Sequence, residues 1–425
     1  MKHPPLVSLV LAAAILLSLA DPPPCDARRI FVPRQHKKLQ DAIDAASAGD
    51  TVWVAAGTYR GPFVLKKRLV LFGDAGPEST FLDGGDTTRV LHIEGVSRTS
   101  VLGFTIQHGN APGGSGIYCL RDTNLVIGTC VIRNNRQRGV AFWKCQTARL
   151  ADAKILDNLG SGATVSESSV GLLDATFRGN RGPNGGGIAF TSSVLILGRS
   201  CVFEGNRAEG GTGGAVDADS SVLHFAQCEF RGNTSAVAGG AVASGASTDT
   251  RLQGSFFSNN RAATGGAFFG ENTTFLVQNC IFVKNRATAA GAAVQSMGRR
   301  IAGINSVVIS STFYRNGVDD QGAAIFVQGS APEISHNIFV VDSTAKNKSV
   351  LAAEGTPRYT CNLLHTLGGE MAPPSKDTLT GDPLFCDPEK GDFHVKDLSP
   401  AVLAPCGAIG ALGKGCSAFR LVPSR

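Results

Sequence analysis

The chain has 425 residues and a formal net charge of +6, with 52 glycines, 23 phenylalanines and only two tryptophans. This length allows a large buried core, and the many small and turn-forming residues exclude a mainly helical protein in favour of an all-β or solenoid one. The charge is spread along the chain rather than packed into a tail. We therefore expect no nucleic-acid partner, and an acidic glycan partner or none.

The N-terminus has the pattern of a secretory signal peptide. Lys2 precedes an apolar run from Leu6 to Ala20 that ends in small residues. The run is too short to cross a bilayer comfortably, so we expect residues 1–20 to be a signal peptide and residues 21–29 a linker. The mature chain is therefore predicted to be secreted or displayed at the cell surface, without a membrane span.

A phenylalanine followed three residues later by asparagine recurs through the centre of the chain. Phe339 continues the register with Asp342 in the asparagine position, while Leu82 begins the frame upstream and Leu363 ends it. The mean period over that span is about 26 residues, which is typical of a repeat architecture. The six complete pairs are Phe177/Asn180, Phe203/Asn206, Phe230/Asn233, Phe257/Asn260, Phe282/Asn285 and Phe313/Asn316.

Each repeat also contains a small-residue turn, such as Gly213-Gly214, followed by two short apolar segments. Three short strands per repeat, with no room for a helix, predict a single-stranded right-handed parallel β-helix of about 11–12 coils. Like residues then stack once per coil at about 4.8 Å. We expect the phenylalanines to stack in the core and the asparagines to form a hydrogen-bonded ladder at a bend.

The cysteines follow the same register. Five of them lie two residues before the core residue of their repeat, a position that faces inward, so we interpret them as buried packing groups. Cys201 and Cys228 lie on adjacent coils, where a bridge is possible but not required, and Cys119 and Cys145 could meet across neighbouring coils. Cys406–Cys416 is the disulfide that we most expect. No spacing suggests a structural metal site. The five are Cys130, Cys201, Cys228, Cys280 and Cys361.

The two ends of the solenoid need protection because open strand edges invite aggregation. Leu39, Ile43 and Ala46 have helical spacing, which predicts a short N-terminal capping helix. We therefore divide the chain into an N-terminal cap with the first coils at residues 30–80, β-helix repeats at 81–366, and a C-terminal cap and tail at 367–425.

Several short segments near the two ends of the chain match a known family: Leu39–Ala46, Gly49–Val54, Gly57–Tyr59, Gly73–Pro77, Leu82–Gly84, Asp382–Phe385, Ser399–Pro400 and Ile409–Leu412. They resemble bacterial right-handed parallel β-helix repeat proteins of the pectin-lyase-like superfamily, and the repeats also resemble those of polymorphic outer membrane proteins. The resemblance covers about residues 30–416 and implies the fold more strongly than any function, since this fold hosts lyases, hydrolases, adhesins and structural proteins.

The resemblance implies two kinds of chemistry. Lyases of the superfamily hold calcium with acidic residues and use a basic residue to remove a proton from a uronate, whereas the hydrolases use paired carboxylates. The weak catalytic candidates here are Asp217 with Asp219, on one strand face, and Asp319 with Asp320, in a long turn. Solvated turn carboxylates are the simpler interpretation, so we expect no cofactor, with calcium only if the protein is a lyase.

A basic residue often follows the ladder asparagine. In a β-helix these residues would line one long edge, where the planar guanidinium groups suit carboxylate or sulfate ligands. We therefore predict a monomeric, non-catalytic module that binds an extracellular polysaccharide, acidic or neutral, or a surface. A polysaccharide lyase or hydrolase and a purely structural surface protein are the alternatives. The candidate ligand-binding residues are Arg136, Arg181, Arg207, Arg261 and Arg286.

Overall fold

The computed structural model describes residues 27–298, 306–318, 322–342, 347–353, 355–368 and 375–416. Residues 1–20, which the sequence predicts to be a signal peptide, lie outside these described residues, as do Cys25 and the pair Asp319 and Asp320. The described chain forms a right-handed parallel β-helix of about twelve turns, which confirms the predicted fold. Each sheet takes one strand from each successive coil and pairs it in parallel with its neighbours.

Four parallel sheets run along the rod. The first sheet contains Arg29–Val32, Thr51–Val54, Val70–Gly73, Ser100–Leu102, Val126–Gly128, Ala148–Ala151, Ser169–Leu173, Val194–Arg199, Val222–Ala226, Asp249–Gln253, Thr274–Gln278, Val307–Ile309, Glu333–Ser335 and Arg358–Thr360. The second sheet contains Gly57–Arg60, Thr80–Asp83, Thr105–Gln107, Val131–Arg133, Lys154–Leu156, Thr176–Arg178, Val202–Glu204, Glu229–Arg231, Phe256–Ser258, Ile281–Val283, Thr312–Tyr314, Ile338–Asp342, Leu363–Leu367 and Leu379–Thr380.

The third sheet is short and was not foreseen as a separate element. It contains Arg181–Gly182, Arg207–Ala208, Thr234–Ser235, Arg261–Thr264, Arg286–Ala290 and Gly317–Val318. The fourth sheet closes each coil and contains Phe63–Leu65, Leu91–Glu94, Ile117–Leu120, Val140–Trp143, Ala163–Ser166, Ile188–Thr191, Val216–Asp219, Val242–Ser244, Phe268–Glu271, Val294–Met297, Gly322–Gln328 and Asn347–Ala353.

The predicted N-terminal helix is present as Leu39–Ala45. Its Leu39, Ala42 and Ile43 side chains are buried, and it contacts the strands that begin the first and fourth sheets. The helix therefore covers apolar surface at the start of the solenoid.

The phenylalanines stack in the core as predicted. Ring centroids on consecutive coils from Phe177 to Phe339 are 4.6–4.9 Å apart, and the rings are tilted by no more than 12°. The coil spacing of parallel strands sets this distance, so the stack follows directly from the register.

Eight buried asparagines, from Asn135 to Asn316, form the predicted ladder. Each amide nitrogen before the last donates to the side-chain oxygen of the next asparagine, and Asn206 Nδ2 also donates to Phe177 O at 2.8 Å. The residue before each ladder asparagine has a left-handed backbone, with φ of 60° at Gly205 and 54° at Asn259. The expectation that Asp342 extends the ladder is wrong, because its side chain is exposed at the end of a longer strand.

The inward column before the phenylalanines holds buried cysteine, alanine and serine, as predicted, with one correction. Phe339 pairs with Leu364 rather than Leu363, so Asn362 takes the column position and Cys361 lies outside it. Leu363 instead continues Ile338 on the outer face, where both pack against the C-terminal segment. Burial raises the pKa of Cys130 and Cys280 to about 12, which agrees with a packing role.

The C-terminal segment folds back along the outer face of the second sheet. It comprises the antiparallel pair Phe385–Asp387 and Asp392–Val395, the 3₁₀ turn Pro388–Lys390 and the helical turn Pro400–Leu403. Glu389 accepts hydrogen bonds from Lys284 at 3.0 Å, Tyr314 at 2.8 Å and Arg315 at 2.9 Å.

The same fold-back determines the disulfides. Cys406 bonds to Cys361 and Cys416 bonds to Cys386, so the expected Cys406–Cys416 bridge is wrong. The reason is that both cysteines meet partners on other elements instead of closing their own loop. Six cysteines in the described chain are unbridged and buried, including the adjacent-coil pairs Cys119 with Cys145 and Cys201 with Cys228.

A second polar column lies at the turn from the fourth sheet to the first. Backbone N–H groups donate to serine hydroxyls of the next coil at 2.9–3.1 Å from Cys145, Ser168 and Ser193. Asp122 occupies this column one coil earlier, where its Oδ1 accepts from Val96 N at 3.0 Å. Asp122 is fully buried, and its Oδ2 has no hydrogen-bond partner among the described residues.

Replacing Asp122 by serine is expected to stabilise the protein at pH 8 by about 1–2 kcal/mol, the cost of an unpaired buried polar group. Burial raises the pKa of Asp122 to about 6. The unfolded chain loses this proton near its ordinary value of 3.8, so the native protein loses stability as the pH rises from about 4 to 6. Denaturant unfolding between pH 4 and 8 measures how much more stable the Asp122→Ser variant is than the parent. This difference in the free energy of unfolding should shrink towards pH 4, and a difference independent of pH would contradict the raised pKa of Asp122.

Candidate anion-binding edge and groove

An arginine column runs along the third sheet at one long edge of the rod. Arg181 pairs in register with Arg207, Thr234 follows, and then Arg261 pairs with Arg286. All four arginines are exposed. Each follows a ladder asparagine and donates its backbone N–H to the asparagine carbonyl of the preceding coil at 2.9–3.1 Å. The ladder therefore sets the position of every arginine in the column.

The fifth predicted arginine, Arg136, lies in the same turn position two coils earlier, separated from Arg181 by the exposed Leu159. Its Nε donates to Asp86 Oδ1 at 2.9 Å. The structure thus brings four of the five arginines together and places the fifth in an ion pair beyond the column.

The carboxylates Asp217 and Asp219 lie on the outer face of the fourth sheet, as their alternation predicted. Asp217 accepts a hydrogen bond from Thr212 Oγ1 of the preceding turn, and burial raises its pKa to about 6. Asp219 is exposed. Asp217 is therefore engaged in holding its own turn.

Asp83 and Asp86 are also engaged in contacts between coils. Asp83 Oδ2 lies 2.9 Å from His108 Nδ1 and accepts from Gln107 Nε2 at 3.0 Å. Burial alone would raise its pKa, but these hydrogen bonds outweigh burial and hold the pKa of Asp83 below its ordinary value.

A groove of about 400 Å³ opens near the N-terminal end of the fourth sheet. It is lined by Pro62 to Val64, by Thr87 to Arg89, by His92 and by Asn110 to Pro112. Two hydrogen bonds to backbone carbonyls fix the orientation of the Arg89 guanidinium. Its Nε donates to Gly114 O at 2.8 Å, and its Nη2 donates to Pro112 O at 2.7 Å. Its guanidinium also lies 4.5 Å from the centre of the Tyr118 ring.

His92 lies beside this arginine, with its ring 5.4 Å from the Tyr118 ring in an edge-on contact. Burial, and then the charge of Arg89, lower the pKa of His92, so the imidazole is neutral at pH 7. Its Nε2 is buried and has no hydrogen-bond partner within the described ranges. The groove therefore combines a fixed cation with a neutral imidazole.

Neither helix in the described part of the chain has the length and apolar character needed to cross a bilayer. The family model for the right-handed β-helix region matches residues 90–234 and 198–360, which together cover more than half of the chain. The chain belongs to the right-handed β-helix family. It matches no curated protein sequence.

Solved structures of two other proteins match most of this chain. The PL6 family polysaccharide lyase Pedsa3628 from Pseudopedobacter saltans is 13% identical over 92% of this chain and 100% of its own, with a TM-score of 0.51. The A-module of the Azotobacter vinelandii mannuronan C-5 epimerase AlgE6 is 14% identical over 81% of this chain and 94% of its own, with a TM-score of 0.42. At 13% identity the likeness to the lyase concerns the fold alone.

Sequence reasoning missed the groove of this β-helix because its side chains come from different coils. Arg89, His92 and Tyr118 belong to no repeated signature. One available signal was the long turn from Gly109 to Gly116, where glycine and proline replace the usual compact turn. A longer turn on one coil is a common way to build a binding wall on a solenoid.

Proposed function

We propose that this protein binds an acidic polysaccharide along the arginine column, as a non-catalytic module acting outside the cell. The observation that carries the proposal is the register of Arg181, Arg207, Arg261 and Arg286 on the third sheet. Arg181 and Arg207 are like charges placed opposite each other on neighbouring strands, which is destabilising, so a function that uses them is the better explanation of this pair. The signal-peptide pattern and two disulfides support an extracellular location.

The spacing of the column suits an extended polyanion. Coils advance by about 4.8 Å, which is comparable to the length of one sugar unit in a stretched chain. Guanidinium groups bind carboxylate and sulfate through paired N–H donors, and each contact is strengthened by charge. Thr234 interrupts the column with a hydroxyl, so the ligand would meet two charged pairs separated by one neutral position.

Retention on immobilised polygalacturonate or heparin tests this proposal. Changing Arg181, Arg207, Arg261 and Arg286 together to glutamine should abolish retention that is sensitive to salt. The matched control changes four exposed arginines of the first sheet, which removes the same charge elsewhere and should leave most retention intact. Equal losses in both variants would mean that net charge, not the arginine column, is responsible for retention. The control positions are Arg149, Arg199, Arg251 and Arg358.

The groove favours a second candidate function, β-elimination on a uronate. Arg89 and the neutral His92 both line the groove. Arg89 would neutralise the carboxylate and His92 would accept the proton from the adjacent carbon, after which the glycosidic C–O bond breaks and the leaving oxygen takes a proton from water. The remote pair Asp217 and Asp219 takes no part in this arrangement. Absorbance of unsaturated products should rise when alginate or polygalacturonate is added, and His92→Ala should lower the rate at least 100-fold. Absence of product with the parent protein on both polymers would remove this candidate.

A further inference from the structure

We propose that reduction of the Cys361–Cys406 disulfide creates a binding site for Zn²⁺, with His336 as its third protein ligand. A ring nitrogen of His336 and the sulfur atoms of Cys361 and Cys406 lie within 4.8 Å of one another. Two sulfurs bound to one tetrahedral zinc ion at about 2.3 Å each are roughly 4 Å apart. The two sulfurs must therefore separate from bonding distance by roughly 2 Å once the S–S bond is broken, which side-chain rotation can supply.

The hydrogen bonding of His336 supplies an independent observation. Its Nε2 lies 3.3 Å from the carbonyl oxygen of Cys406, which can only accept, so in the neutral tautomer that fits this contact Nε2 carries the proton. Nδ1 then carries a lone pair, yet this atom is buried and has no hydrogen-bond partner in the part of the chain that the structure describes. A carbonyl that fixes one ring nitrogen and leaves the other as a ligand is the usual arrangement around metal-bound histidine.

Backbone hydrogen bonds hold His336 beside the disulfide. The residue has a left-handed conformation, with φ of 55°, at the turn between two strands. Its N–H donates to Thr360 O at 3.1 Å, and its carbonyl accepts from Gly410 N at 2.8 Å. One bond links His336 to the coil that ends beside Cys361, and the other links it to the C-terminal segment that carries Cys406.

The proposed chemistry converts the Cys361–Cys406 disulfide into a zinc-bound pair of thiolates. A dithiol reductant gives two electrons and two protons to the disulfide, whose S–S bond breaks to form two thiols while the reductant becomes a disulfide. Zn²⁺ then replaces both thiol protons, forms two Zn–S bonds and one Zn–N bond, and retains water in the fourth position. Cys406 is exposed, so a reductant can reach the sulfur. Either state ties the C-terminal segment to the last coils.

The chain provides its own control. Cys386–Cys416 is a second disulfide of the same segment, but only the His336 group satisfies the metal-cluster geometry among the described residues. After reduction, a variant with both Cys386 and Cys416 changed to serine should therefore bind as the parent does. A variant with Cys361 and Cys406 changed to serine should not bind, although it keeps all six buried thiols of the core.

The experiment is a Co²⁺ titration of the full-length chain, before and after reduction with a water-soluble phosphine. Reduced parent and the Cys386/Cys416 variant should show thiolate-to-cobalt charge-transfer bands, with one Zn²⁺ displacing one Co²⁺. His336→Ala should weaken the affinity at least 10-fold, and the oxidised parent should show no bands. Circular dichroism checks that each variant is folded. The proposal is overturned if the reduced parent shows no bands, or if His336→Ala or the Cys361/Cys406 variant binds as tightly as the parent.

Discussion

Replacing Asn206 by alanine is expected to lower the free energy of unfolding by about 3–5 kcal/mol. Its amide donates to Phe177 O at 2.8 Å and to Asn233 Oδ1 at 3.0 Å. Its Oδ1 accepts from the backbone N–H and the side-chain amide of Asn180, at 3.2 and 3.0 Å. All these groups are buried, so removing the amide leaves several of them without partners at once. Denaturant unfolding followed by circular dichroism measures the loss.

Asn259→Gly is the matched control for this ladder prediction. Asn259 immediately precedes the ladder residue Asn260 and has a left-handed backbone, with φ of 54°, in a column that holds glycine at position 205. Glycine adopts this conformation without strain, so the change should cost less than about 1 kcal/mol. Similar losses in Asn206→Ala and Asn259→Gly would show that the turn conformation, rather than the ladder, determines stability here.

Replacing Phe230 by alanine is expected to cost about 3–5 kcal/mol. The ring is fully buried, lies 4.9 Å from Phe203 and 4.6 Å from Phe257, and meets Phe225 edge-on at 5.6 Å. Its removal leaves a cavity in the middle of the stack that neighbouring coils cannot close without losing register. Thermal and denaturant unfolding give the size of the effect.

Hydrogen exchange can locate the damage, because each coil of a solenoid contacts only its neighbours. Protection should fall most in the three strands that surround the cavity, Val202–Glu204, Glu229–Arg231 and Phe256–Ser258. Val222→Ala serves as the control, since Val222 is 45% exposed and its truncation should cost under about 0.5 kcal/mol. A uniform loss of protection along the whole rod would contradict the expectation that the cavity affects only the neighbouring coils.

Much of the fold could be predicted because the repeat is itself a physical constraint. Phe177 to Phe339 recur once per coil, so the stack, the ladder and the inward cysteine column all follow from one register. The prediction was wrong at the last coil, where Leu363 and Leu364 are both apolar and either could continue the core. Only the C-terminal segment decides between them, since it packs on Leu363 from outside.

The candidate sites also differ in whether the repeat allows them to be predicted from the sequence. The column from Arg181 to Arg286 could be placed from the sequence because each arginine follows a ladder asparagine. The groove around Arg89 and His92 could not, because its geometry depends on a single long turn and on contacts between non-equivalent residues. The disulfide partners of Cys406 and Cys416 were missed for a related reason, since a non-repeating tail has no register to fix its path.

The unbroken ladder also makes the coils interchangeable in principle. Asn180 presents to Asn206 the same groups that Asn206 presents to Asn233, so the segment between two ladder positions is a module with identical connectors at both ends. Duplication or loss of such a module in a gene would lengthen or shorten the rod without disturbing either terminus. The arginine column would change length in step, so the reach of the protein along a polymer is a property that evolution can adjust one coil at a time.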